Sequence, residues 1–153
     1  MKIADVLEPD HTYCNVPGVS KKRVLENLAS FLSEDKDFAT DTDAIYQKLL
    51  EREKLGSTGI GSGVAIPHCR VAGCNKITGV LLKLNDSIDF DATDGEPVDL
   101  VFALVVPEEQ TDEHLQALSA IAELLESPDT RARLRAATSD EELYDLATSA
   151  EPT

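Results

Sequence analysis

Apolar residues along the first fifty positions recur at helical spacing. Val24, Leu25, Leu28, Phe31 and Leu32 stand at i, i+1, i+4, i+7 and i+8, which is one buried stripe. Ser20 supplies an N-cap, so a helix is predicted through about Leu32. The polar segment from Ser33 to Thr40 reads as a loop. Asp41 or Thr42 caps a second helix through about Arg52, with Ile45, Leu49 and Leu50 inward, and Gly56 ends it. Before these helices, residues 2–9 form a short turn or helix ended by Pro9, and His11 to Val16 is an edge strand closed by Pro17-Gly18.

After Gly56 the pattern changes from helical to extended. Four glycines fall in the eight residues from Gly56 to Gly63, Val64–Ile66 is a brief extended piece, and Pro67 keeps Ile66 out of helical geometry. Ile77 to Leu84 alternates as a strand, with Val80, Leu82 and Leu84 on one face. The run VDLVFALVV, Val98 to Val106, is almost continuously apolar and predicts a central strand covered on both faces. Between these strands Asp86 to Asp99 carries six acids in fourteen residues, with a turn at Asp94-Gly95, and reads as a solvated loop.

The C-terminal third is helical again. Thr111 caps a long helix with Asp112 and Glu113 in its first turn and an inward stripe of His114, Leu118, Ile121 and Leu125. Ser127-Pro128 opens another helix. Ser139 with Glu142 is a capping-box pattern for a last one carrying Leu143 and Leu146, and the tail from Ala150 frays. Helices therefore precede and follow a sheet-forming middle. The expected fold class is α/β (α+β), a mixed β-sheet flanked by helices on both faces, in one domain spanning residues 1–153.

Composition narrows what such a domain does. With 153 residues and 42% hydrophobic content the chain builds one core. No apolar run is long enough to span a membrane, and the N-terminus has no signal-peptide pattern. Cys14, Cys69 and Cys74 are an odd number in a cysteine-poor chain, so a reducing cytoplasm is the expected home. A net charge of −15 repels nucleic acid, and the single basic run, Arg131, Arg133 and Arg135, is too small to overcome it. The acidity fits a basic docking partner or serves solubility alone; composition does not choose between these.

The candidate chemistry centres on residues 51–70, EREKLGSTGIGSGVAIPHCR. His68 follows a glycine-rich turn whose backbone N–H groups could cradle an anion, and a neutral imidazole is a good nucleophile. That combination suits a histidine that takes up a phosphoryl group, against the plain alternative of a packed ring. His114, third in its helix, is either a second site imidazole kept neutral by the helix N-terminus or a buried structural histidine. Arg52 can reach the same anion bidentately or sit as a surface residue, and Ser57 and Thr58 can donate hydroxyls or simply make the turn. The loop lacks the lysine and hydroxyl of a nucleotide phosphate loop, and no strand-then-helix context supports a dinucleotide fingerprint. His68, Cys69 and Cys74 have no structural zinc spacing, and Cys14 or His11 could complete a metal site only through the tertiary fold. No metal and no cofactor are therefore expected.

The stretch LLEREKLGSTGIGSGVAIPHCR resembles the active-site signature of the IIA proteins of the bacterial phosphotransferase system, mannitol/fructose class. DGEPVDLVFALVVPEEQTDEHLQALSAIAELL and RLRAATSDEELYDL are similar to its nitrogen-regulatory branch, and the resemblance spans residues 2–148. It implies that His68 is the phosphorylated nucleophile and that His114 stabilises the phosphoryl group. It further implies that Arg52 stabilises charge and that Ser57 and Thr58 contact the phosphate. The implied donor is a phosphorylated HPr-like carrier, with attack through Nε2 of His68 and the other ring nitrogen held by a carbonyl or water. Acids and apolar residues around His68 are expected to meet a basic carrier face. The implied role is regulatory: phosphorylation state controls binding to other proteins, potassium transport proteins and a sensor kinase among them. The alternatives are a sugar-specific IIA component feeding a IIB domain and a non-catalytic interaction module. Cys69 and Arg70 depart from the glycine and lysine common after the active histidine.

Overall fold

The computed structural model describes residues 1–35, 41–109 and 112–149. The expected cap Thr111, most of the expected loop up to Thr40, and the tail from Ala150 lie outside these residues. Two short 3-10 turns, Ile3–Asp5 and Pro9–His11, lead into strand β1 (Thr12–Val16). Pro9 thus begins a second turn rather than ending the first. Helices α1 (Lys21–Ser33) and α2 (Thr42–Lys54) follow. Next come the short strands β2 (Gly59–Gly61), β3 (Val64–Ala65) and β4 (His68–Val71), then the long strands β5 (Thr78–Ile88) and β6 (Val98–Pro107). Helices α3 (Asp112–Glu126), α4 (Pro128–Ala136) and α5 (Asp140–Ser149) complete the chain.

Local chemistry starts these helices where the sequence places the starts. Ser20 Oγ accepts from Arg23 N–H at 3.1 Å, Asp41 Oδ1 from Ala44 at 2.8 Å, and Ser127 Oγ from Thr130 at 3.2 Å. Between Ser139 and Glu142 only half of the capping box closes: Ser139 Oγ accepts from Glu142 N–H, while the Glu142 carboxylate turns to Thr138 N–H.

The six strands make one mixed sheet. β6 lies at its centre, antiparallel to β5 on one side and parallel to β3 and then β4 on the other. β1 runs parallel to β5 at one edge, and β2 pairs antiparallel with β3 at the other. Within β6, Val101, Ala103 and Val105 face one apolar cluster with Leu25, Leu28 and Leu32 of α1 and Ile45 and Leu49 of α2. Leu100, Phe102, Leu104 and Val106 face a second cluster with Ile121 and Leu125 of α3, Leu134 of α4 and Leu143 of α5. The continuous apolar run is therefore a strand buried on both faces, as expected. Helices cover both faces, so the fold is the expected mixed-sheet sandwich.

Three boundaries differ from the sequence reading. The expected strand Ile77–Leu84 extends to Ile88, because Ile88 still pairs with Val98 across a register shift and packs into the first cluster. Part of the acidic segment is thus strand. The glycine-rich turn contains a strand, since Gly59 and Gly61 pair with Ala65 and Val64. β4 has no expected counterpart. Gly18 is required by close approach: a Cβ there would stand 1.8 Å from the Asp86 carbonyl oxygen.

Candidate functional site

Pro67 builds the site by interrupting a strand. β3 and β4 lie on the same side of β6, separated by Ile66 and Pro67. Proline has no N–H and holds the residue before it extended. The Ile66 carbonyl is turned to the ring of His68, with Nδ1 and O 2.7 Å apart. His68 starts β4, opposite Leu104 of the central strand, so its backbone is anchored to the middle of the sheet.

On its other side the ring meets Arg52 from the last turn of α2. Arg52 Nε–H donates to His68 Nε2 at 3.3 Å, and an Nη1–H donates to the Gly56 carbonyl at 3.0 Å. These two contacts define the tautomer. Nδ1 carries the proton and gives it to Ile66, and Nε2 keeps its lone pair. Burial lowers the His68 pKa below the ordinary imidazole value, and the Arg52 charge adds to this; the Ile66 hydrogen bond and Glu53 pull the other way. The ring is therefore neutral near pH 7.

His114, third residue of α3, brings a second imidazole to the first. The ring centroids are 6.1 Å apart and the planes are tilted by 53°. Its pKa is also lowered, chiefly by burial and then by the nearby His68 and Arg70. Its Nδ1 is buried without a hydrogen-bond partner among the described residues. Between them lies an open cavity of about 670 Å³, bordered by Arg52, His68 and His114 together with Lys48, Lys54 and Arg70. Leu55 stands on its rim, 84% exposed.

Two expectations about this site change. The Ser57 and Thr58 hydroxyls do not border the cavity. Ser57 Oγ donates to the Phe90 carbonyl at 2.6 Å, and Thr58 Oγ1 donates to a Glu53 carboxylate oxygen. The N–H groups of Thr58 and Gly59 are likewise used, on Glu53 Oε1 and Ser57 Oγ. Both hydroxyls and the Thr58 and Gly59 N–H groups are thus engaged within the turn and its supports. The rim is also not acidic: Lys48, Lys54, Arg52 and Arg70 face Glu51 as the single bordering acid among the described residues.

Glu53 is the organising residue that sequence reasoning misses. It is 7% exposed, accepts both Thr58 donors, and pairs with Lys21 Nζ at 3.0 Å. Lys21 also lies 5.0 Å from the centre of the Phe90 ring. In the sequence Glu53 sits among charged residues at a helix end, with no signal of burial. The neighbouring Cys69 points into the α1–α2 side of the core, and burial pushes its thiol up to about 12, so it stays protonated. The basic run of α4 is also internally satisfied: Arg135 grips Asp99 and the Ser62 carbonyl, and Arg133 pairs with Asp129.

Comparison with known proteins bears on this constellation. Residues 5–149 match the family described as the phosphoenolpyruvate-dependent sugar phosphotransferase system, EIIA 2, and the chain belongs to this family. Within it, the chain is 48% identical over 147 residues to a nitrogen regulatory protein of Pseudomonas aeruginosa, across 95% of this chain and 94% of that one. It is 42% identical over 154 residues to a nitrogen regulatory protein of Escherichia coli, across 100% and 93% of the two chains. The crystal structure of nitrogen regulatory protein IIA-Ntr from Neisseria meningitidis superposes with a TM-score of 0.89 at 38% identity, over 95% of this chain and 99% of that one. The family resemblance read from the sequence is correct, and the chain is similar to nitrogen-regulatory members. No helix among the described residues is long and apolar enough to cross a membrane.

Proposed function

We propose that the protein accepts a phosphoryl group on Nε2 of His68 from a phosphohistidine on an HPr-like carrier of the nitrogen branch. Its phosphorylation state then sets which regulatory proteins it binds. One observation carries this reading: Nδ1 of His68 is held by the Ile66 carbonyl, which leaves Nε2 as the unprotonated nitrogen at a cavity shared with Arg52 and His114.

In the transfer, the Nε2–P bond forms as the P–N bond of the donor breaks, and the donor ring keeps that electron pair. One phosphoramidate replaces another, so the step is close to balanced. Arg52 releases Nε2 and turns its donors to the phosphoryl oxygens, where charge is spread in the transition state. His68 retains the Nδ1 proton, and the charge that develops on the ring is directed to the Ile66 carbonyl. His114, neutral, donates one hydrogen bond to an oxygen. Ser57 and Thr58 act indirectly, by tying the turn to Glu53 and Phe90.

Phosphorylation adds about −1.5 to −2 charge at the bottom of a cationic rim. A target that docks acids against Lys48, Lys54 and Arg70 would be released by it, and one that reads the phosphoryl group would be recruited. Potassium transport proteins and a sensor kinase are the targets this reading proposes, in the cytoplasm where the carriers work. Incubation with phosphoenolpyruvate and the two upstream carriers tests the assignment. The wild-type chain takes up label and His68→Ala takes up none; label on His68→Ala overturns it, and no label on the wild type leaves only an interaction module.

A further inference from the structure

At the far end of α1 the fold gathers a second set of chemistry-bearing side chains that the phosphoryl site does not use. We propose that Glu8, His11 and Asp35 form a binding site for a divalent transition cation of the zinc class. None of the three borders the His68 cavity.

His11 ends the second 3-10 turn and is 4% exposed. Its Nε2 lies 2.8 Å from Asp35 Oδ2. Its Nδ1 is buried and has no hydrogen-bond partner among the described residues. Buried ring nitrogens are ordinarily answered by a partner. The ring borders an open cavity of about 520 Å³ whose charged lining, among the described residues, is Glu8, Asp10, Glu34 and Asp35. Burial raises the phenol pKa of Tyr13 in the same wall, and the charges of Glu34, Asp10 and Asp140 raise it further, which marks the local potential as negative.

One ligand atom from each of Glu8, His11 and Asp35 lies within 4.8 Å of the other two. A cation about 2.1 Å from three ligands holds them roughly 3.0–3.4 Å apart, so the site closes by rotation of the exposed Glu8 side chain. Lys76 Nζ sits 2.9 Å from Glu8 Oε1, which orients this carboxylate. The donor set also selects the ion. One imidazole with two carboxylates suits zinc and its neighbours, whereas magnesium and calcium take all-oxygen sets and copper(I) takes sulfur. Sequence spacing could not show this site, because residues 8, 11 and 35 meet only when the N-terminal turn packs on the end of α1. A bound ion would clamp that turn, and with it the edge strand β1, to the helix.

The test uses the full chain stripped with a chelator and then titrated with ZnCl2 by calorimetry, with CoCl2 as an optical probe. The expected result is one ion per chain, a raised Tm, and a cobalt spectrum without a thiolate charge-transfer band. Affinity falls at least about tenfold in His11→Gln and in Glu8→Gln, and is unchanged in His68→Ala. Glu8 is on the surface, so Glu8→Gln with an unaltered circular dichroism spectrum decides the matter if His11→Gln does not fold. Absence of saturable binding overturns the proposal, as does binding that survives Glu8→Gln. A thiolate band, or loss of binding in His68→Ala, places the ion elsewhere and overturns it equally.

Discussion

Replacing Arg52 with methionine keeps the apolar stem and removes the charge that the proposed mechanism places on the transferring group. The guanidinium is already 3.3 Å from the attacking nitrogen, so it stands within about 4 Å of the oxygens of a phosphoryl group on Nε2. A unit charge pair at that distance is worth about 1 kcal/mol in water and about 4 kcal/mol at the effective dielectric of a protein surface. Arg52 is half-buried, so a loss of about 2–3 kcal/mol is expected, or roughly 30- to 160-fold in the transfer rate. A second effect has a definite sign. The Arg52 charge helps to hold the His68 pKa down, so Arg52→Met raises that pKa. Attack needs Nε2 unprotonated, so the rate falls as pH drops through the His68 pKa. The acid limb of the profile therefore lies below the ordinary imidazole range in the wild type and moves to higher pH in the variant. The assay is rapid-quench measurement of transfer from the labelled carrier between about pH 5 and 8, a window that brackets the imidazole range. Less than about threefold loss, about 0.6 kcal/mol, together with an unmoved acid limb would refute the role given to Arg52.

Other outcomes follow from the same geometry. His114→Ala slows transfer by roughly 10- to 100-fold, the worth of one charge-assisted hydrogen bond, with unchanged urea unfolding; an unchanged rate would make the ring structural. Glu53→Gln leaves a weaker acceptor for Thr58 and leaves Lys21 the longer Asp91 contact at 3.6 Å, and costs about 1–3 kcal/mol in denaturant unfolding. Gly18→Ala pushes a methyl group into the Asp86 carbonyl and lowers stability by about 3 kcal/mol, or roughly 6–12 °C in Tm; a shift under about 2 °C would contradict that packing. High salt slows transfer, since the cationic rim faces an anionic donor group, and a rate flat with ionic strength would count against steering by Lys48, Lys54 and Arg70.

What the sequence disclosed is what local physics determines. Ser20, Asp41 and Ser127 cap helices because their side chains reach N–H groups only three residues away. The apolar run in β6 reads as a doubly covered strand because every residue of it but Asp99 is apolar. Arg52 and His114 were legible as partners of His68 through family resemblance; their convergence depends on α2 ending and α3 beginning beside His68. The partners of the Ser57 and Thr58 hydroxyls, Phe90 and Glu53, are hidden from the sequence for the same reason. Whether a hydroxyl turns to a ligand or to Glu53 is decided by a residue whose burial has no sequence mark. The acidic segment from Asp86 to Asp99 carries the complementary lesson. Its charges read as a solvated loop, yet Phe90 is fully buried, and its carbonyl receives the Ser57 hydroxyl. Net charge was a poor guide to the rim: a chain at −15 still places four cations around one cavity.

The central claim is that Nε2 of His68, and not another nitrogen, carries the phosphoryl group. Nitrogen-15 and phosphorus-31 spectra of the histidine-labelled protein, recorded before and after incubation with phosphoenolpyruvate and the two carriers, test it most directly. The account predicts a new Nε2–P coupling on His68 with the Nδ1 proton retained, and an unmodified His114. A phosphoryl group on Nδ1 of His68, or on His114, would contradict it.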